Sequence, residues 1–579
     1  MRQTIQWALA IQWATALAYC LASPTTASAE RPNLILIVTD DQGWGDMSCH
    51  GNPILQTPHM DALKAQGAEM TRFYVSPVCS PTRASLMTGR YNFRTGVTDT
   101  YRGHSMMSTD EITIAETLSE AGYATGIFGK WHLGDCYPMR PQDQGFAQSV
   151  VFRGGGLAQP SDPLATRNRY TDPTLWRNGE AYQAQGYCTD VYFDEAIEFI
   201  AASHAQQRPF FAYIATNAPH GPYHDVPQVL YDKYKSLDVA RATSAGKQAE
   251  DVVARVFAMV ENIDQNLGRL NDALDARNLT DNTLVIFMSD NGPATPRYVG
   301  NRRGRKTEVY EGGIASPFFA RWPRRIEAGR ECDALAAHID IFPTLIAAAG
   351  VEAPESKIDG QSLLGLLTGE SADWPERTLF FQAHRGGTPQ AEHQFAVVQA
   401  RWKLLRNSGF ERPAAPPEAP FELFDLAANT REVSNVIAEH PEVAEQLQRA
   451  YGNWFADVTQ SRDAPWLPPR IHVGSPREKT TTLSWQDWQA TGPGWGAAGS
   501  WLITTPRPTR VDVEVVLEKP STGTAVLRCN AAKAEQTITE RQQVEFRDFL
   551  LPSGDSAISF ELQTPGGAVP PYQIHLRQH

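Results

Sequence analysis

Four short apolar runs, rich in β-branched residues, predict buried strands. They are Asn33 to Thr39, Ala124 to Phe128, Pro209 to Thr216 and Thr283 to Ser289. Between the last two runs, apolar residues from Val256 to Leu274 recur at three- and four-residue steps, which predicts a long amphipathic helix. Buried strands that alternate with helices indicate an α/β fold, with a mainly parallel central sheet covered on both faces.

Polar residues come directly after each of the four strand-like runs. They are Asp40 and Asp41 after the first, Lys130 and His132 after the second, Asn217 and His220 after the third, and Asp290 and Asn291 after the fourth. In open α/β sheets, ligands bind outside the carboxyl ends of the strands. The pattern therefore predicts that these side chains contribute to one site.

The pattern changes near residue 350, and we predict a catalytic domain over 30–349. Strands predicted at Phe395 to Arg406 and Phe421 to Leu426, with a helix at Glu442 to Val458, indicate a smaller α+β C-terminal subdomain over 350–459. The proline-containing segment 460–479 is typical of a linker. After it, 480–579 carries short strand candidates between turn residues, which favour an additional β-sandwich. These candidates are Trp501 to Leu517, Gly523 to Arg528, Thr537 to Phe549 and Ala557 to Leu562.

Length, charge and the amino terminus limit the classes of protein. A chain of 579 residues exceeds what one core usually supports. Arg2, an apolar stretch and Ala-Ser-Ala before Glu30 predict a signal peptide over 1–29 and export to the periplasm or the medium. No later run of about 18 apolar residues predicts a membrane span. The net charge of −13 argues against nucleic acid as a partner, although a local basic pocket remains compatible with it.

Of the seven cysteines, Cys20 lies in the predicted signal, and the remaining six are too few for a disulfide scaffold in a chain this long. Cys79 precedes Ser80, a favourable N-cap, and Pro81, which suits a first helical turn. This order predicts that Cys79 lies at the positive end of a helix, where an anion is stabilised. A buried structural cysteine and a redox-sensitive thiol are the alternative interpretations.

Asp40, Asp41, Asp290 and Asn291 supply oxygen donors, which favour Ca²⁺ or Mg²⁺. One such pair is more often a turn or a cap, but two pairs after two strands favour a metal site. Lys130 and His132 face the same side if their segment is extended. Lys306 belongs to a basic run 16 residues beyond Asp290. A pocket with a cation, a helix N-terminus and cationic side chains stabilises a tetrahedral oxyanion, so sulfate or phosphate ester cleavage is the chemistry expected.

Two long segments resemble the signatures of type I, formylglycine-dependent sulfatases. "PVCSPTRASLMTG" (77–89) resembles the first, with its C-x-P-x-R core at Cys79, Pro81 and Arg83, and "GYATGIFGKWHLG" (122–134) resembles the second. Further segments that resemble sulfatase sequences are "NLILIVTDDQGWGD", "NAPHGPY", "SDNGP", "KTEVYEGGIASPF", "DIFPTLIAAAG" and "WKLL". The resemblance runs from about Pro32 to Val458. Within the family, the chain resembles the arylsulfatase A-like group and its secreted bacterial members that act on polysaccharides.

The resemblance implies an alkaline-phosphatase-like fold and a set of residue roles. Cys79 would be converted to Cα-formylglycine by a maturation enzyme. Asp40, Asp41, Asp290 and Asn291 would bind Ca²⁺ together with residue 79. Arg83 and Lys130 would position the hydrated aldehyde, Lys306 would neutralise the sulfate, His220 would protonate the leaving alcohol, and His132 would accept a proton as sulfate is released; the two histidine roles could exchange. The implied substrate is a sulfated carbohydrate, with sulfated galactose or N-acetylgalactosamine as first candidates.

Two other functions remain open at this stage. One is a phosphate mono- or diester hydrolase of the alkaline phosphatase superfamily. The other is a catalytically silent glycan-binding protein. The region 480–579 lies outside the resemblance, and it is either a carbohydrate-binding module or a domain that only packs against the rest.

Overall fold

The computed structural model describes residues 31–243, 245–463, 466–490 and 498–579. The predicted signal peptide lies outside these residues. Strands before residue 340 are β1 (Asn33–Thr39), β2 (Ala68–Met70), β3 (Phe73–Tyr74), β4 (Ala124–Lys130), β5 (Gln148–Phe152), β6 (Thr174–Arg177), β7 (Glu180–Gln183), β8 (Phe210–Ala215), β9 (Thr283–Ser289), β10 (Phe318–Arg321), β11 (Arg330–Cys332) and β12 (Ala336–Ala337). Helices are α1 (Pro58–Ala65), α2 (Cys79–Thr88), α3 (Ile114–Glu120), α4 (Cys188–Ala205), α5 (Gln228–Lys235), α6 (Lys247–Asp275), α7 (Glu311–Ile314), α8 (Ile341–Ala349), α9 (Leu364–Thr368) and α10 (Pro441–Thr459).

A ten-stranded sheet forms the centre of the molecule, in the order β11-β2-β10-β9-β1-β8-β4-β5-β6-β7. Its middle, from β9 to β5, is parallel throughout, while β10, β6 and β7 run antiparallel to their neighbours. The predicted α/β fold with a mainly parallel core is therefore confirmed. β1 and β9 begin and end at the residues predicted from the sequence.

Side chains of β1 alternate between two apolar cores, one on each face of the sheet. Ile35 and Ile37 pack with residues of α1, α4, α5 and α6, whereas Leu34, Leu36 and Val38 pack with residues of α2, α3 and α8. Because both faces of a central parallel strand are covered, every residue of β1 is buried. The molecule is an α/β/α sandwich around this sheet, and its parallel strands open at one edge.

A second sheet packs beside the first. The strands β13 (Leu379–Gln382), β14 (Phe395–Val398), β15 (Trp402–Arg406) and β16 (Glu422–Asp425) form an antiparallel sheet in sequence order. The apolar side of α10 covers it with Leu447, Tyr451 and Trp454. The smaller α+β C-terminal subdomain forms as expected, although the run Phe395 to Arg406 is a hairpin and not one strand.

The rest of the chain forms a β-rich unit, here called the terminal unit. Its strands are β17 (Ile471–His472), β18 (Thr480–Ser484), β19 (Gln489–Ala490), β20 (Gly499–Thr505), β21 (Thr509–Cys529), β22 (Ala532–Leu551), β23 (Gly554–Thr564), β24 (Gly567–Val569) and β25 (Gln573–Gln578). β21 pairs with β25 through its first half and with β23 through its second half, so the two halves enclose one core. The short strands predicted here are wrong in length, because Pro520 and Gly523 lie at register shifts within one long strand and not in turns.

Candidate active site

The predicted carboxylates meet at the carboxyl ends of two neighbouring strands. β1 and β9 are parallel, with Thr39 opposite Ser289, so Asp40 and Asp290 leave the sheet side by side. The backbone N–H of Asp290 donates to the carbonyl of Thr39 at 3.0 Å. The backbone N–H of Asp41 donates to Asp290 Oδ1 at 3.3 Å. This register brings four oxygen-bearing side chains together, because Asn291 follows Asp290 directly.

Two of these oxygens have no hydrogen-bond partner among the described residues. Asp40 Oδ2 accepts a hydrogen bond from Lys130 Nζ at 2.7 Å, while the buried Oδ1 is unpaired. Asn291 Nδ2 donates to Asp41 Oδ1 at 2.8 Å, which leaves its own buried Oδ1 unpaired. Ligand atoms of Asp40, Cys79 and Asp290 lie within 4.8 Å of one another, as do those of Asp40, Asp41 and His220. Buried unpaired oxygens cost free energy, so this donor set fits a hard cation.

The carboxylates experience different electrostatic environments. Burial raises the pKa of Asp40 to about 6, against the opposing effect of Lys130, and the charge of Asp41 adds to the rise. Burial also raises the pKa of Asp290, and the charge of Asp40 contributes. Burial alone would raise the pKa of Asp41 too, but Lys306 and His220 outweigh it and hold this pKa well below its usual range. The crowded carboxylates at Asp40 and Asp290 are those that a divalent cation would stabilise.

Cys79 is the first residue of α2, and only 2% of it is exposed. The prediction that it lies at a helix N-terminus is confirmed, but the predicted N-cap is wrong. The N-cap residue is Val78, which has extended backbone angles and no capping side chain. Ser80 lies inside the helix, and its hydroxyl donates to the carbonyl of His132 at 3.1 Å. Ser80 therefore ties the helix to the loop that carries this histidine.

Arg83 lies one helical turn after Cys79 and is fully buried. Its Nε and Nη2 donate to Asp290 Oδ2 at 3.1 and 2.8 Å. Its Nη1 donates to the carbonyl of Lys130 at 3.1 Å and lies 3.3 Å from the hydroxyl of Tyr213. One guanidinium thus connects the helix of Cys79 to the ends of β9 and β4, a geometry that lysine cannot reproduce.

Lys130 reaches the site from the last position of β4, two residues beyond the predicted end of that strand. The chain bends here through Gly129, which has φ of 116°; a Cβ atom at this position would lie 1.9 Å from the carbonyl oxygen of Ala215. Only glycine permits this approach between β4 and β8. His132 follows with φ of 60°, so the segment from Lys130 to His132 is not extended, and the condition under which the two side chains would face the same side is not met.

The side chains of Lys306 and His220 converge on Asp41. Lys306 Nζ donates to Asp41 Oδ1, and His220 Nε2 lies 3.9 Å from Asp41 Oδ2. His220 Nδ1 lies 2.7 Å from the carbonyl oxygen of Gly221. Because a carbonyl only accepts, Nδ1 carries the hydrogen, and Nε2 is the free nitrogen that faces the site. Burial lowers the pKa of His220, against the opposing effect of Asp41, so the ring is neutral near pH 7.

His132 is held in the opposite tautomer. Its Nε2 lies 2.7 Å from the carbonyl oxygen of Thr100, so Nε2 carries the hydrogen, and the buried Nδ1 has no partner among the described residues. Burial, followed by the nearby charge of Lys130, lowers the pKa of His132 well below its ordinary value. Each histidine therefore offers one unprotonated nitrogen.

The structure brings all ten predicted site residues to this edge of the sheet. They are Asp40, Asp41, Cys79, Arg83, Lys130, His132, His220, Asp290, Asn291 and Lys306. The rest of the basic run points elsewhere, since the guanidinium of Arg302 stacks on Trp44 at 3.5 Å and Arg305 pairs with Glu308 at 3.6 Å.

Sequence reasoning missed two neighbouring glycines that cover the histidines. A Cβ atom on Gly155 would lie 2.4 Å from His132 Cε1, and one on Gly156 would lie 2.9 Å from His220 Cε1. The triplet Gly154 to Gly156 is visible in the sequence as a turn signal, but nothing in the sequence indicates which rings it touches. The backbone of this loop packs directly against both histidine rings.

Comparison with known proteins decides the family. Residues 32–351, more than half of the chain, match the family model described as Sulfatase, and residues 305–454 match that of the N-sulphoglucosamine sulphohydrolase C-terminal domain. The chain belongs to the sulfatase family of sulfuric ester hydrolases. The resemblance found in the sequence is thereby confirmed.

Similar curated proteins cover most of the sulfatase region. The N-acetylgalactosamine-6-sulfatase of Canis lupus familiaris is 34% identical over 66% of this chain and 74% of that protein. The N-acetylgalactosamine-6-O-sulfatase of Bacteroides thetaiotaomicron is 30% identical over 72% of this chain and 92% of that protein. Human arylsulfatase A is 30% identical over 73% of this chain and 87% of that protein.

Solved structures agree with this sulfatase fold. The crystal structure of Ps i-CgsB in complex with k-i-k-neocarrahexaose is 26% identical, with a TM-score of 0.64, over 76% of this chain and 95% of that one. The structure of the sulfatase yidJ from Bacteroides fragilis, described there as putative, is 23% identical with a TM-score of 0.61 and supports the fold alone. Among the described residues, no helix is long and apolar enough to cross a membrane.

Proposed function

We propose that this sulfatase hydrolyses sulfate esters of carbohydrates, and that galactose or N-acetylgalactosamine sulfated at O6 is its substrate. The support comes from the relatives. Two of them carry the names N-acetylgalactosamine-6-sulfatase and N-acetylgalactosamine-6-O-sulfatase, and the chain spans 74% and 92% of their lengths. We infer that the predicted signal peptide 1–29 directs the protein to the periplasm or the medium, where it would encounter such glycans.

The observation that carries the mechanism is the position of Cys79. This side chain is buried at the first residue of α2, with Asp40 and Asp290 around its sulfur and Arg83 one turn away. We infer that a maturation enzyme converts it to Cα-formylglycine during export. Formylglycine supplies a hydrated aldehyde, in which one hydroxyl is the nucleophile toward sulfur and the second allows sulfate to leave.

We infer that Ca²⁺ is held by Asp40, Asp41, Asp290 and Asn291 together with residue 79. The unpaired Oδ1 atoms of Asp40 and Asn291 support this assignment, as does the raised pKa of Asp40. Mg²⁺ is the weaker candidate, because it prefers to keep water ligands, whereas this site offers several protein oxygens. When bound, Ca²⁺ neutralises the carboxylates and stabilises anionic oxygens of the ester.

Two cationic side chains place the nucleophile. Arg83 donates a hydrogen bond to Asp290, and Lys130 donates one to Asp40, so both side chains are held in place. Their positive charge favours an anionic oxygen on residue 79. Lys306 lies on the side of the site that receives the substrate. Its ammonium group, beside Asp41, compensates the charge of the bound sulfate.

The histidines transfer the protons. His220 presents Nε2 toward the site, where it takes up a proton from solvent and donates it to the leaving alcohol oxygen. His132 presents a neutral Nδ1, which accepts a proton as sulfate is released. In each ring the other nitrogen is held by a backbone carbonyl, so the nitrogen that remains free can take part in proton transfer.

The test of this proposal starts with the mass of the peptide that contains residue 79, from protein produced with a maturation enzyme. Conversion lowers the mass by about 18 Da. Cys79→Ala is expected to lower kcat for an aryl sulfate by about 10⁴-fold or more, while Cys49→Ala, at a free cysteine outside the site, keeps full turnover.

Matched substrates separate the competing functions. Turnover of an aryl phosphate faster than the matched aryl sulfate would favour the phosphoesterase alternative. An unconverted Cys79 in active protein would overturn the formylglycine assignment. A panel of sugars sulfated at O4 or O6 tests the substrate, and preference for a site other than O6 of galactose or N-acetylgalactosamine would overturn that part of the proposal.

A further inference from the structure

A side chain of the terminal unit reaches the active site. Gln486 follows β18 and is 1% exposed. Its Nε2 donates to the carbonyl oxygen of Thr100 at 2.8 Å and to Ser105 Oγ at 3.0 Å, and it lies 3.2 Å from His132 Nε2. The region matched by the sulfatase models ends at residue 454, so this contact comes from outside it.

The hydrogen bonds around the Thr100 carbonyl determine what Gln486 does. This carbonyl also lies 2.7 Å from His132 Nε2, and a carbonyl only accepts. Gln486 Nε2 and His132 Nε2 therefore donate to the same oxygen, and the 3.2 Å between them separates two donors. The flipped amide is excluded, because it would place the Gln486 oxygen 2.8 Å from the Thr100 oxygen, with two acceptors facing each other.

Gln486 also fixes the segment that carries this carbonyl. The backbone N–H of Gly103 donates to the carbonyl of Gln486 at 2.8 Å, and the Gln486 amide bonds Ser105. The segment from Thr100 to Ser105 is thus attached to Gln486 at three points. Of the charged groups around the His132 ring, Lys130 and Arg83 lower its pKa and Asp135 raises it. The tautomer follows from the hydrogen bond to the Thr100 carbonyl.

We propose that Gln486 is a positioning residue of the active site: through the carbonyl of Thr100 it fixes the ring of His132 with the hydrogen on Nε2 and the free electron pair on Nδ1. The terminal unit thereby contributes to catalysis and does more than pack against the catalytic domain. The part of this inference that concerns turnover rests on the proposed role of His132; the tautomer and the ring position do not.

The kinetic test uses two variants of equal length and a matched pair of controls. Gln486→Met fills the space without a donor, and Gln486→Glu keeps the shape but replaces the donor by an acceptor. Both are expected to lower kcat for an aryl sulfate by about 10- to 100-fold, with KM within about twofold, because the base is displaced while substrate binding remains. Gln578→Met and Gln578→Glu change an amide of the terminal unit that donates to the carbonyls of Ser475 and Glu478 and bonds no residue of the segment from Thr100 to Ser105, so they keep kcat within about twofold.

A second measurement does not depend on turnover. Exchange of the His132 Cε1 hydrogen for deuterium, followed against pH by peptide mass spectrometry, reports the state of this ring in protein that retains unconverted Cys79. In Gln486→Met, the midpoint of the His132 profile is expected to move toward the ordinary value of about 6.5, because the Thr100 segment loosens and water enters. In Gln486→Glu, the carboxylate beside the ring adds a further rise through its charge. The profile of His220 serves as the internal control and stays unchanged.

The outcomes separate the two proposals. An unchanged His132 profile in Gln486→Met, or equal loss of kcat in the Gln486 and Gln578 variants, would overturn the positioning role. Absence of sulfatase turnover in the converted wild type, together with a shifted His132 profile in the Gln486 variants, would overturn the proposed mechanism and leave the positioning role supported. If one Gln486 variant fails to fold, the other decides, because the two differ in charge and share size.

Discussion

The sheet edge holds Asp40, Asp41 and Asp290 with two lysines and an arginine, so most of the buried charge is already paired. Among the carboxylate and amide oxygens of this edge that the structure describes, one of Asp40 and one of Asn291 are buried and unpaired. These two residues are the ones that support the proposal of a bound cation.

Calcium binding is expected to stabilise the wild type, and Asp40→Asn is expected to remove most of that gain. At a calcium concentration 100 times Kd, the gain is about 2.7 kcal/mol in the free energy of unfolding. Thermal unfolding with calcium and with a chelator measures it. Asp373→Asn, at an exposed carboxylate outside the site, is the control.

Without the ion, the sign of the pH effect at Asp40 follows from its raised pKa. The folded pKa of about 6 lies above the ordinary value, so the stability that Asp40 contributes is lost as pH rises through about 6. The chelated wild type should thus gain stability on mild acidification, relative to chelated Asp40→Asn. Equal calcium shifts in the wild type and Asp40→Asn would contradict the metal assignment.

His338 lies behind the segment that leads to Cys79, and it provides a second pH prediction. Its ring is 1% exposed and bonds Ser76 Oγ and the carbonyl of Tyr74, and burial lowers its pKa to about 3. Below about pH 6.5 the unfolded chain takes up a proton that the folded chain does not, so the free energy of unfolding falls by about 1.4 kcal/mol per pH unit.

His338→Gln is expected to remove that part of the slope between about pH 6.5 and 4.5. Denaturant titrations at several pH values measure the slope. His204→Gln, at an exposed histidine on α4, should leave the slope as in the wild type. If His338→Gln retained the full slope, another group would be responsible for it.

At the scale of elements, the site depends on how closely backbone segments approach its rings. The loop of Gly154 to Gly156 lies directly on His132 and His220, and α2 presents Cys79 through its first residue. These contacts leave no room for a Cβ atom on the loop. Position in the fold, and not only side-chain identity, sets where the two histidine rings lie.

Gly155→Ala is expected to displace the His132 ring and to lower kcat by about 10²-fold, with a small change in Tm. The added Cβ would lie 2.4 Å from Cε1 of that ring. Gly452→Ala, on α10, is the control, because its Cβ would meet no atom of the described residues within 4 Å. Kinetics on an aryl sulfate and thermal unfolding give both quantities, and unchanged kcat in Gly155→Ala would contradict the close packing.

The sequence predicts strand ends better than it predicts contacts between distant segments. β1 and β9 are predicted to the residue, because apolar runs that end in acidic pairs mark the edge of a parallel sheet. Val78 as N-cap of α2 is not predictable, since capping by backbone geometry alone leaves no residue-type signal. The approach of Gln486 to Thr100 is likewise invisible, because it joins positions 386 residues apart through a sheet that lies outside the family signatures.

On the scale of the whole molecule, the terminal unit and the catalytic region share one apolar core. Met106, Cys136 and Met139 pack among Trp488, Trp501 and the other buried residues of the terminal unit. The buried Glu478 adds polar contacts, since it bonds Arg140 Nη1 at 3.3 Å and the backbone N–H of Tyr137 at 3.2 Å. A domain that only tethers the enzyme to a glycan would not need such an interface.

Met139→Ala is expected to lower the free energy of unfolding by about 2–5 kcal/mol, because it opens a cavity in this shared core. The protein should still unfold in one transition, since both sides lose the same contacts. Calorimetry of the wild type and the variant measures this. A separate early transition of the terminal unit would contradict the shared core.

A chain that ends at residue 463 distinguishes a catalytic role of the terminal unit from glycan binding. Removal of the terminal unit exposes Met106, Cys136 and Met139, and it also removes the contact of Gln486 with Thr100. We therefore expect poor solubility and a loss of turnover by about 10²-fold or more even on a small aryl sulfate, which needs no glycan-binding module. Full turnover of the aryl sulfate, with loss confined to polymeric substrates, would instead assign the terminal unit to carbohydrate binding. The small substrate decides the question, because under the proposed mechanism its hydrolysis depends on the two histidines and the residues that position them, and not on the capture of a polymer.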